Sequence, residues 1–211
     1  MRHKVSNPII IKGKHVILSE VLPEYFEYII LWRNNKRLNK YINQSFELTI
    51  DSQYKWYREK YLVDPTQAFF VMLEKATNRP FATIGWTDMD VVKKQCVGGR
   101  LLMPDKNDSG LLAEGSVLLW DYLLQYVDNI YIHVAEMNKR AQRWNKAFGF
   151  REHDSSEKWE YPEYKIINNI PHIEMTMKKS EYLKAKEKYD CWYVKGKCQH
   201  QHYRQGCTND S

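Results

Sequence analysis

Apolar residues recur at alternating or helical spacing along most of the chain, and this pattern predicts a regular succession of strands and helices. Alternation is typical of strands, and spacings of three and four residues are typical of helices. Helix ends are marked as well, because Asp51 is a favourable N-cap and Gly149 a favourable C-cap. The pattern predicts strands over 9–18 (broken by Gly13), 68–73, 81–86, 97–103, 129–134, 150–153 and 170–177, and helices over 23–32, 51–62, 110–126 and 138–148.

This order of elements predicts the α/β fold class, with a mixed central sheet and helices on both of its faces. The composition becomes polar after Lys178. We therefore predict one domain over residues 1–183 and a polar tail over residues 184–211. Three cysteines and two histidines in the tail have spacings that match no zinc-site pattern, so we predict no metal site.

The composition is that of a globular protein. Of the 211 residues, 43% are hydrophobic and 27% are charged, and no apolar run approaches the roughly 20 residues that span a bilayer. The N-terminal segment lacks the long apolar stretch of a signal peptide, so we expect a cytoplasmic protein with no membrane partner. The net charge of +6 favours an anionic ligand. Basic residues form no block of five or six consecutive residues, however, and we predict no nucleic-acid partner.

The most informative stretch runs from Gly98 to Phe150, where a strand leads through a turn into a long helix. The turn contains Ser109 and Gly110. Free backbone N–H groups at a helix start and the positive end of the helix dipole favour a diphosphate, and glycine lets that group approach closely. An ordinary N-cap formed by Asp108 or Ser109 explains the same residues, so this motif alone leaves both interpretations open.

A second motif makes the pattern more specific. Asn138 and Ala141, followed by Phe148-Gly149-Phe150, resemble the helix that lies beside CoA in the GNAT superfamily of N-acetyltransferases. The distance from Pro104 to Gly110 also matches the pyrophosphate loop of that superfamily. Two separated motifs therefore point to the same family.

An upstream motif points to one branch of the superfamily. Leu31-Trp32-Arg33-Asn34 resembles the WRN signature of members acting on nucleotide-linked amino sugars, such as the pseudaminic-acid pathway enzyme, and Glu114 falls where many members carry Glu. The resemblance covers residues 10–182 and implies the GNAT fold, in which two parallel strands splay apart to form the acetyl-CoA cleft. It assigns acetyl-CoA binding to Leu102, Met103, Asn107, Asp108, Ser109, Gly110, Leu111, Leu112, Asn138 and Asn145.

The chain departs from the family pattern at three positions. Asp108 replaces the first loop glycine, and Asp105 replaces the Arg or Gln that usually opens the loop. Two carboxylates near a diphosphate are unfavourable unless they point away from it. Asn145 stands where many members have the tyrosine that protonates the departing thiolate, so another group or solvent must supply that proton.

Direct transfer requires that the acceptor ammonium first loses a proton. We assign this step to His133, which titrates in the right range, with Glu136 next to it. Asp88, Asp90 and a relay of waters are the alternatives. A structural role is the ordinary explanation of a single histidine on a strand.

Acceptor binding is assigned to Arg33, Tyr41, Trp86 and Asp88. The Arg33 guanidinium suits phosphate oxygens, and the two aromatic side chains, like Trp56, can stack on a sugar or a base. In a chain with 14% aromatic residues, packing in the core is the ordinary explanation of each ring taken alone.

The resemblance implies an enzyme, a GNAT N-acetyltransferase that transfers an acetyl group directly to the amino group of a nucleotide-linked amino sugar, such as an amino-dideoxy sugar. Three alternatives stay open. The acceptor is a protein N-terminus (as on a ribosomal protein), or a polyamine, or the chain is a CoA-binding protein that has lost catalysis. The oligomeric state, a homodimer included, also stays open.

Overall fold

The computed structural model describes residues 4, 6–42, 44, 46–154 and 170–194, with side chains up to Glu187. The described strands are β1 (Ile10–Lys12), β2 (Val16–Glu20), β3 (Ala68–Glu74), β4 (Arg79–Asp90), β5 (Gln95–Leu102), β6 (Asn129–Ala135), β7 (Arg151–Glu152) and β8 (His172–Lys178). The described helices are α1 (Phe26–Asn34), α2 (Lys36–Asn39), α3 (Ile50–Trp56), α4 (Ser109–Leu123), α5 (Lys139–Ala147) and α6 (Lys179–Val194).

The strands form one mixed sheet in the order β1-β2-β3-β4-β5-β6-β8-β7. Neighbouring strands are antiparallel, with the exception of β5 and β6, which are parallel. Parallel neighbours need a crossover, and α4 supplies it. The predicted mixed α/β fold is confirmed.

Helices cover both faces of the sheet, as the alternation along β3 requires. Phe70 and Met72 pack in the cluster that contains Leu119 of α4. Phe69 and Val71 pack in a second cluster with α1 and the π-helical turn that extends α3 over Tyr57–Tyr61. Successive side chains of a strand point to opposite faces, so β3 is buried on both sides. We call these the α4 face and the α1/α3 face.

The first strand is two strands in the structure. Gly13 lies at the turn between β1 and β2, where its N–H donates to the Val16 carbonyl oxygen (2.8 Å). A Cβ at Gly13 would overlap the carboxylate of Glu114 on α4. That carboxylate accepts hydrogen bonds from the His15 N–H (2.8 Å) and the Val16 N–H (3.3 Å). Glu114 therefore holds the β1–β2 hairpin against α4.

Helix α3 begins differently from the sequence prediction. Thr49, not Asp51, is its N-cap, because the Ser52 N–H donates to Thr49 Oγ1 (3.2 Å) and the Thr49 N–H donates to Ser52 Oγ (2.9 Å). This reciprocal capping box uses two backbone donors, which a cap at Asp51 alone would not do.

Helix α6 crosses the predicted boundary at residue 183. Tyr182 is buried and its hydroxyl donates to Asp121 of α4 (2.9 Å), and Lys186 pairs with the same carboxylate at 2.7 Å. The start of the predicted tail thus packs on the domain, while residues 195–211 lie outside the described part. Among the described helices, none has the length and hydropathy that a membrane span requires.

Candidate functional site

The parallel strands β5 and β6 separate after a short ladder. Their pairing covers only Gln95–Val97 against Asn129–Tyr131. Beyond these residues, both strands line a cavity of about 570 Å³. Strand backbone that has no neighbouring strand keeps N–H and C=O groups available for an extended ligand.

A bulge in β5 shapes the cavity wall. Thr83 of β4 pairs with Leu102 and Gly85 pairs with Gly99, so β5 has one extra residue in this interval. Arg100 takes it up with a left-handed backbone (φ 58°), and its carbonyl oxygen accepts a hydrogen bond from Thr83 Oγ1 (2.7 Å). A bulge of this kind redirects a side chain and ends regular pairing.

The opposite wall comes from α1, α2, α3 and the segment between α2 and α3. Asn34 fixes this wall, because its Nδ2 donates to the Leu48 carbonyl oxygen and its Oδ1 accepts from the Leu48 N–H, both at 2.8 Å. Arg33 Nε donates to Gln44 Oε1 (2.9 Å), and both residues line the cavity. The neighbouring Trp32 is buried. In the WRN motif, Trp32 therefore anchors α1, Arg33 lines the cavity and Asn34 holds the rim of the cavity.

The helical turn that leads into α4 begins at Lys106. The Asp105 carboxylate accepts from the Asn107 N–H (2.9 Å), and the Ser109 N–H donates to the Lys106 carbonyl oxygen. The sequence interpretation placed free amides at residues 109–112. For Ser109 the structure shows a hydrogen-bonded amide instead, because helical structure starts three residues earlier.

The carboxylate of Asp108 does not cap α4 and faces Arg79 at the start of β4. Two hydrogen bonds, of 2.8 and 3.1 Å, join the guanidinium to the carboxylate. This pairing raises the pKa of Arg79. The residue that replaces the family's first loop glycine is thus held by a basic partner, which offsets its charge near the start of α4.

His133 lies on β6 in the cavity wall, and its Nε2 is 3.9 Å from Oε1 of Glu174. Burial lowers the pKa of His133 to about 4, and the nearby His172 acts in the same direction. The imidazole is therefore neutral at pH 7. It can accept a hydrogen bond, but it holds a proton only weakly.

Two asparagines of α5 line the cavity. Asn138 is the N-cap, because its Oδ1 accepts from the Ala141 N–H (3.1 Å). Asn145 donates from Nδ2 to the Ala141 carbonyl oxygen (2.9 Å). Its amide is not an acid, so it does not replace the tyrosine that the family uses to protonate a thiolate.

Positive charge is the main electrostatic feature of the cavity. Arg33 and Arg100 both line it, and no aspartate or glutamate of the described residues does. Burial lowers the pKa of Arg33, and it lowers the pKa of Arg100 to about 10.

The cavity brings together only part of the predicted site. It is lined by Arg33, Tyr41, Leu102, His133, Asn138 and Asn145. Its lining does not include Met103, Asn107, Asp108, Ser109, Gly110, Leu111, Leu112, Trp86, Asp88 or Glu136.

The surroundings of Trp86 do not suit the stacking role assigned to it, whereas the roles assigned to Asp88 and Glu136 stay predictions. Trp86 is buried in the core, with its ring 5.4 Å from that of Phe70 and 5.9 Å from that of Tyr122. Asp88 and Glu136 are exposed. Stacking on a substrate from Trp86 would require the core to open, because its neighbours already cover the ring.

Sequence reasoning missed Arg100, Gln53 and His172, which also line the cavity. The pair Gly98-Gly99 before Arg100 was the available signal, because glycines inside a strand mark bulges and close approaches. His172 and Gln53 offered no local signal, since only the folded sheet and α3 bring them to the cavity.

Comparison with known proteins gives structural relatives only. No protein-family model and no curated protein matches this chain. Among solved structures, the apo form of FdhC, a nucleotide-linked sugar GNAT, is 20% identical, with a TM-score of 0.66 over 86% of this chain and 97% of that one. A spermidine N-acetyltransferase from Vibrio cholerae in complex with CoA and spermine is 17% identical, with a TM-score of 0.64 over 81% and 99%.

A third structure, a GCN5-related N-acetyltransferase from Brucella melitensis, is 16% identical, with a TM-score of 0.70 over 88% of this chain and 86% of that one. These similarities extend over almost the whole described domain, and they agree with the splayed strands β5 and β6. The chain therefore has the fold of the GNAT N-acetyltransferases.

Proposed function

We propose that this protein is an acetyl-CoA-dependent N-acetyltransferase whose acceptor is a nucleotide-linked amino sugar. One observation carries the proposal. The gap between β5 and β6 opens into the same cavity that α1, α2 and α3 line, and this cavity contains arginines but no described carboxylate. A thioester donor and an anionic acceptor can therefore meet in one space.

The donor supplies its acetyl group as a thioester. In this proposal, the backbone of Gly98–Leu102 binds the pantetheine part beside β6, and the amides of Leu102 and Met103 donate hydrogen bonds to the thioester carbonyl. The diphosphate lies at the start of the helix that begins at Lys106, where the dipole is favourable. There it competes with the Asp105 carboxylate for the Asn107 N–H.

The proton of the acceptor ammonium leaves through water in this proposal. A base with a pKa of about 4, such as His133, cannot hold that proton at neutral pH. Its neutral imidazole instead accepts a hydrogen bond from the amine or from a water that carries the proton to solvent. The thiolate is protonated from solvent as well, because Asn145 is not an acid.

Charge favours the nucleotide-linked sugar over a polyamine. A polyamine carries several positive charges and needs carboxylates, whereas Arg33 and Arg100 would repel it. The similarity to spermidine N-acetyltransferases, at 16–18% identity, is a similarity of fold.

The test is thiol release from acetyl-CoA with a panel of UDP- and dTDP-linked amino sugars, spermidine and peptides with free N-termini. We expect turnover with a nucleotide-linked amino sugar and none with spermidine. Turnover with spermidine alone or with peptides alone would refute a nucleotide-linked amino sugar as the acceptor. If acetyl-CoA does not raise the Tm of the protein in a thermal-shift measurement, the proposed acetyltransferase activity itself is contradicted.

A further inference from the structure

Arg100 has an unusual environment for an arginine. It lies in the bulge of β5, and its Nη2 donates to the side-chain carbonyl oxygen of Gln67. Its Nη1 is buried and has no hydrogen-bond partner in the described part of the chain. A buried donor without an acceptor is costly, so a ligand oxygen that accepts a hydrogen bond from Nη1 would be stabilising here.

Among the described residues, no carboxylate forms a hydrogen bond or an ion pair with Arg100, and the charges of Asp64 and Asp88 act on it only from a longer distance. Its hydrogen-bond partner is a neutral amide, and that of Arg33 is the amide of Gln44. Burial disfavours the Arg100 charge, and the nearby charge of Arg33 opposes it as well; burial also disfavours the charge of Arg33. An oxyanion between them would relieve both costs.

The position of the Arg100 guanidinium is fixed in advance. Its central carbon lies 5.5 Å from the ring centre of Trp56 and 5.2 Å from that of Phe69. Gln67, which accepts its Nη2 hydrogen bond, is itself held by a bond from its Nε2 to Asp64 Oδ2 (2.8 Å). An arginine held in this way loses little conformational entropy when it binds a ligand.

We propose that Arg100, with Arg33, forms an oxyanion site that binds a phosphate or carboxylate group of the acceptor. The site lies on the α1/α3 face, because Trp56 and Phe69 belong to the cluster on that face. It is therefore separate from the start of α4, where the donor diphosphate is placed. This inference rests on the proposed function and adds Arg100 to the residues that select the acceptor.

The test uses two probes, inorganic pyrophosphate and glucuronate, titrated into the full chain and followed by tryptophan fluorescence and calorimetry. Saturating CoA is present, so that the donor diphosphate site is filled. We compare Arg100→Met, Arg100→Lys and Arg33→Met with the control Arg143→Met. Arg143 is exposed on α5 and does not line the cavity.

Arg100→Met should weaken binding of the preferred probe by roughly 10- to 150-fold, the range for a lost hydrogen bond to a charged group. Arg100→Lys should fall between Arg100→Met and the wild type, because it keeps the charge and loses the planar fork. Arg143→Met should bind like the wild type. Preference for pyrophosphate identifies a phosphate on the acceptor, and preference for glucuronate identifies a carboxylate.

Equal affinities for Arg100→Met and Arg143→Met, or no binding of either probe to the wild type, would overturn the oxyanion site. If Arg100→Met does not fold, Arg33→Met and Arg100→Lys decide the same question. Failure of CoA to bind the wild type would instead refute the proposed function. Because CoA is first titrated into the wild type alone and the probes are added only afterwards, the two failures are distinguishable.

Discussion

Gly98 and Gly99 are consecutive residues of β5 at the place where this strand leaves β6, and their surroundings differ. A Cβ at Gly98 would lie 3.1 Å from Trp120 and 3.2 Å from Ile130, in the core on the α4 face. A Cβ at Gly99 would meet nothing within 4 Å, and Gly99 lines the cavity. The same substitution at the two positions should therefore have opposite consequences.

Gly98→Ala should destabilise the protein, because carbon atoms pack best at about 3.5–4.0 Å. Overpacking of this kind costs about 1–3 kcal/mol, which lowers the Tm of a domain of this size by about 2–12 °C. Gly99→Ala should leave the Tm unchanged or raise it by up to about 4 °C, since alanine restricts the unfolded chain by at most about 1 kcal/mol. Thermal unfolding followed by circular dichroism measures both changes.

Gly99→Leu should keep the fold and reduce acetyl transfer, because its side chain occupies the cavity where β5 and β6 separate. We expect thiol release from acetyl-CoA to fall about tenfold or more, equal to at least about 1.4 kcal/mol. Gly99→Ala is the matched control and should keep most of the activity. Equal destabilisation by Gly99→Ala and Gly98→Ala, or wild-type activity of Gly99→Leu, would contradict the different surroundings of the two glycines.

Three further predictions concern the cavity rim, the donor site and pH. Asn34→Ala removes both hydrogen bonds to Leu48, so the KM for the acceptor should rise. Calorimetry should find the acetyl-CoA affinity unchanged, and weaker binding of acetyl-CoA would contradict a role of Asn34 at the acceptor rim of the cavity. Asp105→Ala frees the Asn107 N–H and removes a negative charge, so acetyl-CoA affinity should rise by about two- to fivefold, whereas lower affinity would place the diphosphate elsewhere. The pKa of His133 is lowered from 6.5 to about 4, so its neutral form contributes stability that is present above pH 6.5 and is lost as the pH falls from 6.5 towards 4. Urea titrations should show a smaller loss of unfolding free energy over this pH range for His133→Phe than for the wild type. An equal loss in both proteins would refute His133 as its origin.

The elements whose signals are local were predictable from the sequence. Helix α5 lies within the predicted range 138–148, with Asn138 as its N-cap, and the predicted C-cap Gly149 ends it with a φ of 97° that favours glycine. A Cβ at Gly149 would also lie 2.9 Å from the Glu181 carbonyl oxygen. Strand β3 follows its continuous apolar run, which is buried on both faces, and β6 follows its apolar alternation.

The site was predictable only in part, because the features that the sequence did not predict depend on tertiary packing. The burial of Trp86 follows from its position beside Phe70 and Tyr122, which are distant in sequence from each other. The helical turn from Lys106 depends on the Asp105 carboxylate, which uses the Asn107 amide. Gly98-Gly99 marks a bulge before Arg100, but that Arg100 reaches the cavity through it depends on the register of β4, which the local sequence does not give.

The most direct test of the account is the structure of the protein crystallised with acetyl-CoA. We predict that the thioester lies between β5 and β6 beyond Val97 and Tyr131, with the diphosphate against the first turn of the helix at Lys106–Ser109. A donor bound elsewhere on the protein, or strands that close on each other with no ligand between them at saturating acetyl-CoA, would contradict it.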